Sequence, residues 1–241
     1  MEHTKNITRR LWTNRLVYWG VCLLAGLTAV PLLAILGEVL VRGWQQFSWE
    51  FFTEPTPTAF KAMKAVAAGE TIPGGIANGI IGTMLMLGMA TAFAVPVGIL
   101  CGIYLAENGK KRFAIIVSYL TDLLQGTPSV IIGIITYIWV VVPMKGYSAI
   151  AGSVALFIMM LPLIIRSTEE TMKILPASLK EAGLALGGNY ARVVLKVQLP
   201  AAFGGIFTGV LLAVSRVIGE TAPLMFTALG CSLIRWDVDK P

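Results

Sequence analysis

Five apolar runs leave this chain few ways to fold. They cover residues 16–41, 78–106, 113–142, 148–165 and 202–224. A helix needs about 20 apolar residues to cross the roughly 30 Å hydrocarbon core of a bilayer, and each run has that length or comes close to it. Hydrophobic residues make up 56% of the 241 positions and charged residues only 13%. The mean hydropathy of +0.77 lies well above that of soluble domains. The expectation is an all-α, polytopic membrane protein, with residues 1–241 forming one transmembrane domain of five helices.

The charges set its orientation. Residues 1–15 carry Lys5, Arg9, Arg10 and Arg15 against Glu2. The short loop ENGKKR (residues 107–112) is basic, and so is the segment holding Arg166, Lys173, Lys180, Arg192 and Lys196. Residues 42–77 carry mixed charge, with Trp44, Trp49, Phe51 and Phe52 near their start, where aromatics suit the membrane boundary. Alternate loops are thus basic, which predicts a cytoplasmic N-terminus. The first run lacks a small-residue cleavage site, so it reads as an uncleaved span. The sequon Asn6-Ile7-Thr8 then falls on the wrong side for glycosylation.

Several function classes drop out. The net charge of +6 sits in particular loops rather than forming a nucleic-acid footprint, so no nucleic-acid partner is expected. His3 is the only histidine, and Cys22, Cys101 and Cys231 show neither metal nor disulfide spacing. No GxxxxGK[ST] phosphate loop is present. The chain is expected to be no enzyme, to have no catalytic residue, and to hold no metal or cofactor.

Charges inside the spans are the candidates for function, because an ionisable group in hydrocarbon is costly and faces protein or a watery pathway. Asp122 lies in the third run, about three turns from a charged loop, with Gly126 and Pro128 after it. Arg216 and Glu220 lie in the fifth, four apart and hence expected on one helix face. The planar guanidinium suits an oxyanion; the alternative is an ion pair that only packs subunits together. Gly98 and Gly102, and again Gly205 and Gly209, have the GxxxG spacing that lets helices approach closely. Packing within the subunit is the expected use of the first pair.

Between the fourth and fifth runs stands EAGLALGGNYARVVLKVQLP, residues 181–200. Ser178 and Glu181 have capping-box spacing, Gly187 and Gly188 stop a helix, and Asn189 can cap a second one. Leu199-Pro200 is expected to end that second helix before the next span. Here the sequence resembles a known family. Glu181, Ala182, Gly183, Gly187, Val197, Leu199 and Pro200 resemble the EAA loop of ABC-importer permeases, with Gly183 in place of alanine and Val197 in place of isoleucine. The resemblance implies a type I permease fold and a cytoplasmic coupling loop over residues 166–201, seated on the ATP-binding subunit.

The likeness narrows elsewhere. RVIGETAPLMFT (residues 216–227), GGIANGIIGT (74–83), GIYLAEN (102–108) and the G-x-PS element at 126–129 resemble the PstA-type permeases of phosphate importers, so the likeness covers nearly the whole chain. It implies a heterodimer with a C-type permease, a dimer of ATP-binding subunits, a periplasmic phosphate-binding protein and inorganic phosphate as cargo. ATP-driven alternating access would take place in the bacterial inner membrane among its lipids, with residues 42–77 periplasmic. It also implies that Arg216 and Glu220 matter for transport, with Arg166 a further candidate; Asp122 completes the expected pathway set. The family has six spans, and the sixth is expected to be missing here by truncation. The competing expectations are a permease for molybdate or sulfate, an ATP-independent transporter or channel, and a non-transporting remnant.

Overall fold

The computed structural model describes residues 2–44, 47–70 and 72–230, with side chains from Arg10 onward. Cys231, the tail that follows it, and the side chains of His3, Lys5 and Arg9 lie outside the described residues. The described residues are helical and fall into two compact units.

The first unit holds α1 (Glu2–Gly43), α2 (Trp49–Thr53) and α3 (Ala59–Ala68). Helix α1 continues through Pro31, and its segment Arg10–Gly43 is long and apolar enough to cross a membrane. Phe47, Phe51 and Phe52 cluster with ring centroids 5.4–6.4 Å apart. Gly75 packs directly on the Phe51 carbonyl, leaving no room for a Cβ.

The second unit carries the rest. Helix α4 (Ala77–Asn108) begins where the Ala77 N–H donates to the Glu54 carbonyl and Asn78 accepts from Thr56. Helix α8 (Ala149–Ile174) is its axis, and more than half of α8's apolar span is buried. Apolar packing alone gains little between helices in lipid, because lipid tails are as apolar as leucine; close backbone approach matters more. Both GxxxG pairs supply it. A Cβ on Gly98 would sit 2.6 Å from Ile164 Cγ2, and one on Gly102 2.6 Å from Thr168 Cβ. On an adjacent face of α8, Gly205 and Gly209 of α11 (Leu199–Ile218) meet Thr171 and Ser167 just as tightly. The first pair does pack within the subunit, as expected, and so does the second.

The third run departs from a single crossing. Helix α5 (Arg112–Gly126) and the segment Ser129–Met144 are bent by 106°. That segment holds α6 (Ser129–Thr136), a π-helical turn (Tyr137–Val141) and α7 (Val142–Met144). The break between α5 and that segment falls at Pro128. Proline has no N–H to give and forces Thr127 into an extended conformation, φ −77° and ψ 130°. Thr127 satisfies the exposed helix end by donating its hydroxyl to the Leu123 carbonyl at 2.7 Å. Among the described residues, four helices are long and apolar enough to be spans, and the bent pair adds a fifth where it is counted as one broken span.

Other boundaries also move. The fourth helix does not end at Ile165 but runs to Ile174, capped at its start by Ser148, whose hydroxyl accepts from the Ala151 N–H. Helix α9 (Ala177–Ala185) starts from Pro176 with no side-chain cap, so Ser178 lies within its first turn and the expected capping box does not form. The glycine stop does form. The N–H groups of Gly187 and Gly188 donate to the Leu184 and Gly183 carbonyls with Gly187 at φ +80°, a Schellman turn. Asn189 caps α10 (Tyr190–Val193).

Leu199-Pro200 does not end the next helix. A π-turn (Val194–Gln198) leads directly into α11, and the widened ladder accommodates the proline ring and its missing N–H. The span is therefore Tyr190–Ile218. It stops before Leu224, with Gly219 at its C-cap and a separate short helix, α12 (Ala222–Thr227), beyond. The buried Thr227 accepts from the Ser148 N–H through its carbonyl, and Gly133 of α6 lies against Pro223.

Candidate functional site

The bend at Pro128 opens a cavity of about 270 Å³. Gln125, Thr127 and Ser129 line it from the bend, Met159 and Pro162 from α8, and Arg216 and Glu220 from the end of α11 and the turn after it. Glu220 is not on the helix face of Arg216 as expected, because α11 stops at Ile218; the turn nonetheless brings both side chains to one wall. Arg216 is exposed and Glu220 half-buried. No ion pair or hydrogen bond joins them, and neither meets an opposite charge among the described residues. The self-neutralising pair is thus absent. What remains is a guanidinium with free donors beside a carboxylate and two hydroxyls, which suits a tetrahedral or planar oxyanion.

Arg166 and Asp122 are brought to each other instead. Arg166 Nε and Nη2 donate to Asp122 Oδ1 at 3.0 and 2.5 Å, and Nη2 also donates to the Ser118 carbonyl and hydroxyl at 3.0 and 2.8 Å. Nη1 donates to Glu169 Oε2 at 2.6 Å, and Lys173 Nζ to Glu169 Oε1 at 2.6 Å. Two cations and two carboxylates cancel, and every nitrogen of the guanidinium is engaged. The network ties α5 to α8. Glu169, whose side chain is 7% exposed, was not singled out from sequence. Its signal was the spacing Arg166, Glu169, Lys173 on one stripe of a helix.

Of the coupling-loop residues, Glu181, Ala182, Gly183 and Gly187 lie on α9 and the turn after it, while Leu199 and Pro200 open α11. Glu181, Ala182, Leu184 and Leu186 face outward, Leu186 almost fully exposed. Gly183 explains its own departure from the EAA pattern, since a Cβ there would meet Val193 Cγ1 at 2.8 Å. Leu199 packs beside the buried cluster of Met172, Ala202 and Ile206, and Pro200 follows on the exposed side. Glu107 of α4 holds α9 through Lys180, and this hydrogen bond is the main cause of a Lys180 pKa raised above the ordinary lysine value. Among the described residues, no group of His, Cys, Asp and Glu side chains could hold a metal ion.

Comparison with known proteins adds a family and a fold. Residues 98–235 match the family described as binding-protein-dependent transport system inner membrane component. Among curated relatives, the phosphate transport system permease protein PstA of Yersinia pestis is 39% identical over 211 residues, covering 87% of this chain and 68% of that protein. PstA of Haemophilus influenzae is 38% identical over 208 residues, covering 86% and 70%. Among solved structures, the inward-facing MetNI methionine ABC transporter superposes with a TM-score of 0.54 at 21% identity, covering 72% of this chain and 77% of that one. At that identity the likeness concerns the fold alone.

Proposed function

Because the chain belongs to the family of binding-protein-dependent transport system inner membrane components, PstA type, we propose that it is the membrane permease subunit of an ATP-driven phosphate importer. The observation that carries the proposal is the unpaired Arg216 beside Glu220 on a cavity at the break of a span. In this reading Arg216 meets the permeating anion and Glu220 limits how tightly it is held. Phosphate is a tetrahedral oxyanion, and a guanidinium can donate to two of its oxygens at once. Arg166 and Asp122 enter as a brace between α5 and α8, holding one arm of the bent span in place.

The partners follow from the same reading. A C-type permease of like fold would complete the pathway on the exposed side of Arg216, and a periplasmic phosphate-binding protein would deliver cargo. A dimer of ATP-binding subunits would receive α9, with Glu181, Ala182 and Leu184 presented to it. With the N-terminus cytoplasmic, residues 42–77 are periplasmic. ATP-driven closure of the partner dimer would move α9 and favour the outward-open state; hydrolysis would return it. The shift can be no larger than the difference in the partners' affinity for the two states.

The test is uptake in cells lacking their own A-type permease and carrying this chain. Restored uptake of phosphate, but not of sulfate or molybdate, is the expected result. Uptake of molybdate or sulfate with no gain in phosphate would overturn the assignment of cargo.

A further inference from the structure

Glu107 occupies an adverse place, one residue from the C-terminal end of α4, where the helix dipole is negative. Three groups from the coupling segment converge on it. Lys180 Nζ of α9 donates to Glu107 Oε2, and the Tyr190 hydroxyl of α10 donates to the same oxygen at 2.7 Å. The Lys180 ammonium also lies 4.9 Å from the centre of the Tyr190 ring, a cation–π contact. Gln198 is buried beside the carboxylate, its own Oε1 without a partner among the described residues. These links reach 73 and 83 residues along the chain.

We propose that Glu107 is a positioning residue through which displacement of the coupling helix reaches span α4. Lys180 directly precedes Glu181 on α9, so a partner that pushes α9 also loads this bond. Helix α4 in turn meets α8 through Gly98 and Gly102, with no slack for sliding. The carboxylate therefore adds a direct polar link from α4 to a segment that the chain itself joins to α8 and α11. The inference rests on the reading of α9 as the coupling helix.

The experiment uses the complete transporter, both permeases with the ATP-binding subunits, reconstituted in liposomes with its phosphate-binding protein. Phosphate imported per ATP hydrolysed is compared for wild type, Glu107→Gln, Tyr190→Phe and the exchanged pair Glu107→Lys with Lys180→Glu. Glu107→Gln is expected to assemble normally and to hydrolyse about tenfold more ATP per phosphate, the effect on a two-state equilibrium of losing one charge-assisted hydrogen bond. Tyr190→Phe, which keeps the ring, is expected to raise the ratio about threefold. The exchanged pair is expected to recover most of the coupling. An unchanged ratio in Glu107→Gln beside a transporting wild type overturns this inference alone. So does a fall in assembly that leaves the ratio untouched. A wild-type complex that imports no phosphate overturns the functional reading, and this inference with it.

Discussion

Arg166 and Arg216 are both arginines near acids within the membrane domain, yet they are treated oppositely. Arg166 gives all its nitrogens to Asp122, Glu169 and Ser118, and its side chain is 19% exposed. Arg216 faces a cavity with no acid bonded to it. A buried charge whose partners are all present is at rest and ties helices together. A guanidinium left with free donors can take up an anion through charge-assisted hydrogen bonds when one arrives. In the proposed reading, the difference separates a brace from a binding group.

Five substitutions, the last of them read against pH, test that contrast in order of decreasing effect. Arg216→Gln should lower phosphate uptake about a hundredfold, as loss of charged hydrogen bonds to the cargo would, while the amount of assembled complex stays at the wild-type level. Arg166→Gln should act on folding instead. It leaves Glu169 with one cation and should cost about 2–3 kcal/mol, less than a fully buried pair, seen as a lower thermal midpoint in detergent. If Arg166→Gln were as stable as wild type, the brace reading would be lost.

Within the brace, burial ranks the acids. Glu169→Gln should destabilise by about 1–2 kcal/mol and Asp122→Asn by under about 1 kcal/mol, since Asp122 is 57% exposed and solvent screens it. Equal losses in the thermal midpoint would contradict the ranking. The smallest effect concerns Lys180. Its folded pKa is raised, chiefly by the hydrogen bond to Glu107, so the stability it contributes is complete below the ordinary lysine value of about 10.4 and is lost only as pH rises through the raised one. Thermal midpoints of wild type and Lys180→Gln should therefore differ at pH 8 and converge at strongly alkaline pH.

What could be read from the sequence was local or periodic. The apolar runs gave the spans, the GxxxG pairs gave the contacts on α8, and Gly187, Gly188 and Asn189 gave the turn in the coupling segment. The misjudged features depend on neighbours in space or on backbone detail. Pro128 signalled an irregularity, but the 106° bend depends on how both arms pack. Pro200 looked like a stop because its effect is normally local; the π-turn before it removes the clash. The cap at Gly219 ends α11 at Ile218, two residues before Glu220, which undoes the four-residue spacing but not the shared cavity. Asp122 and Arg166 are 44 residues apart, so no pattern along the chain could pair them.

The most direct measurement is radiolabelled phosphate uptake per assembled transporter for Arg216→Gln and Arg166→Gln side by side, with assembly quantified by co-purification of the ATP-binding subunit. The contrast between brace and binding group predicts that Arg216→Gln assembles fully and imports almost nothing. It predicts that Arg166→Gln assembles poorly, but that each assembled copy still imports. A fully assembled, silent Arg166→Gln beside a transporting Arg216→Gln would contradict it.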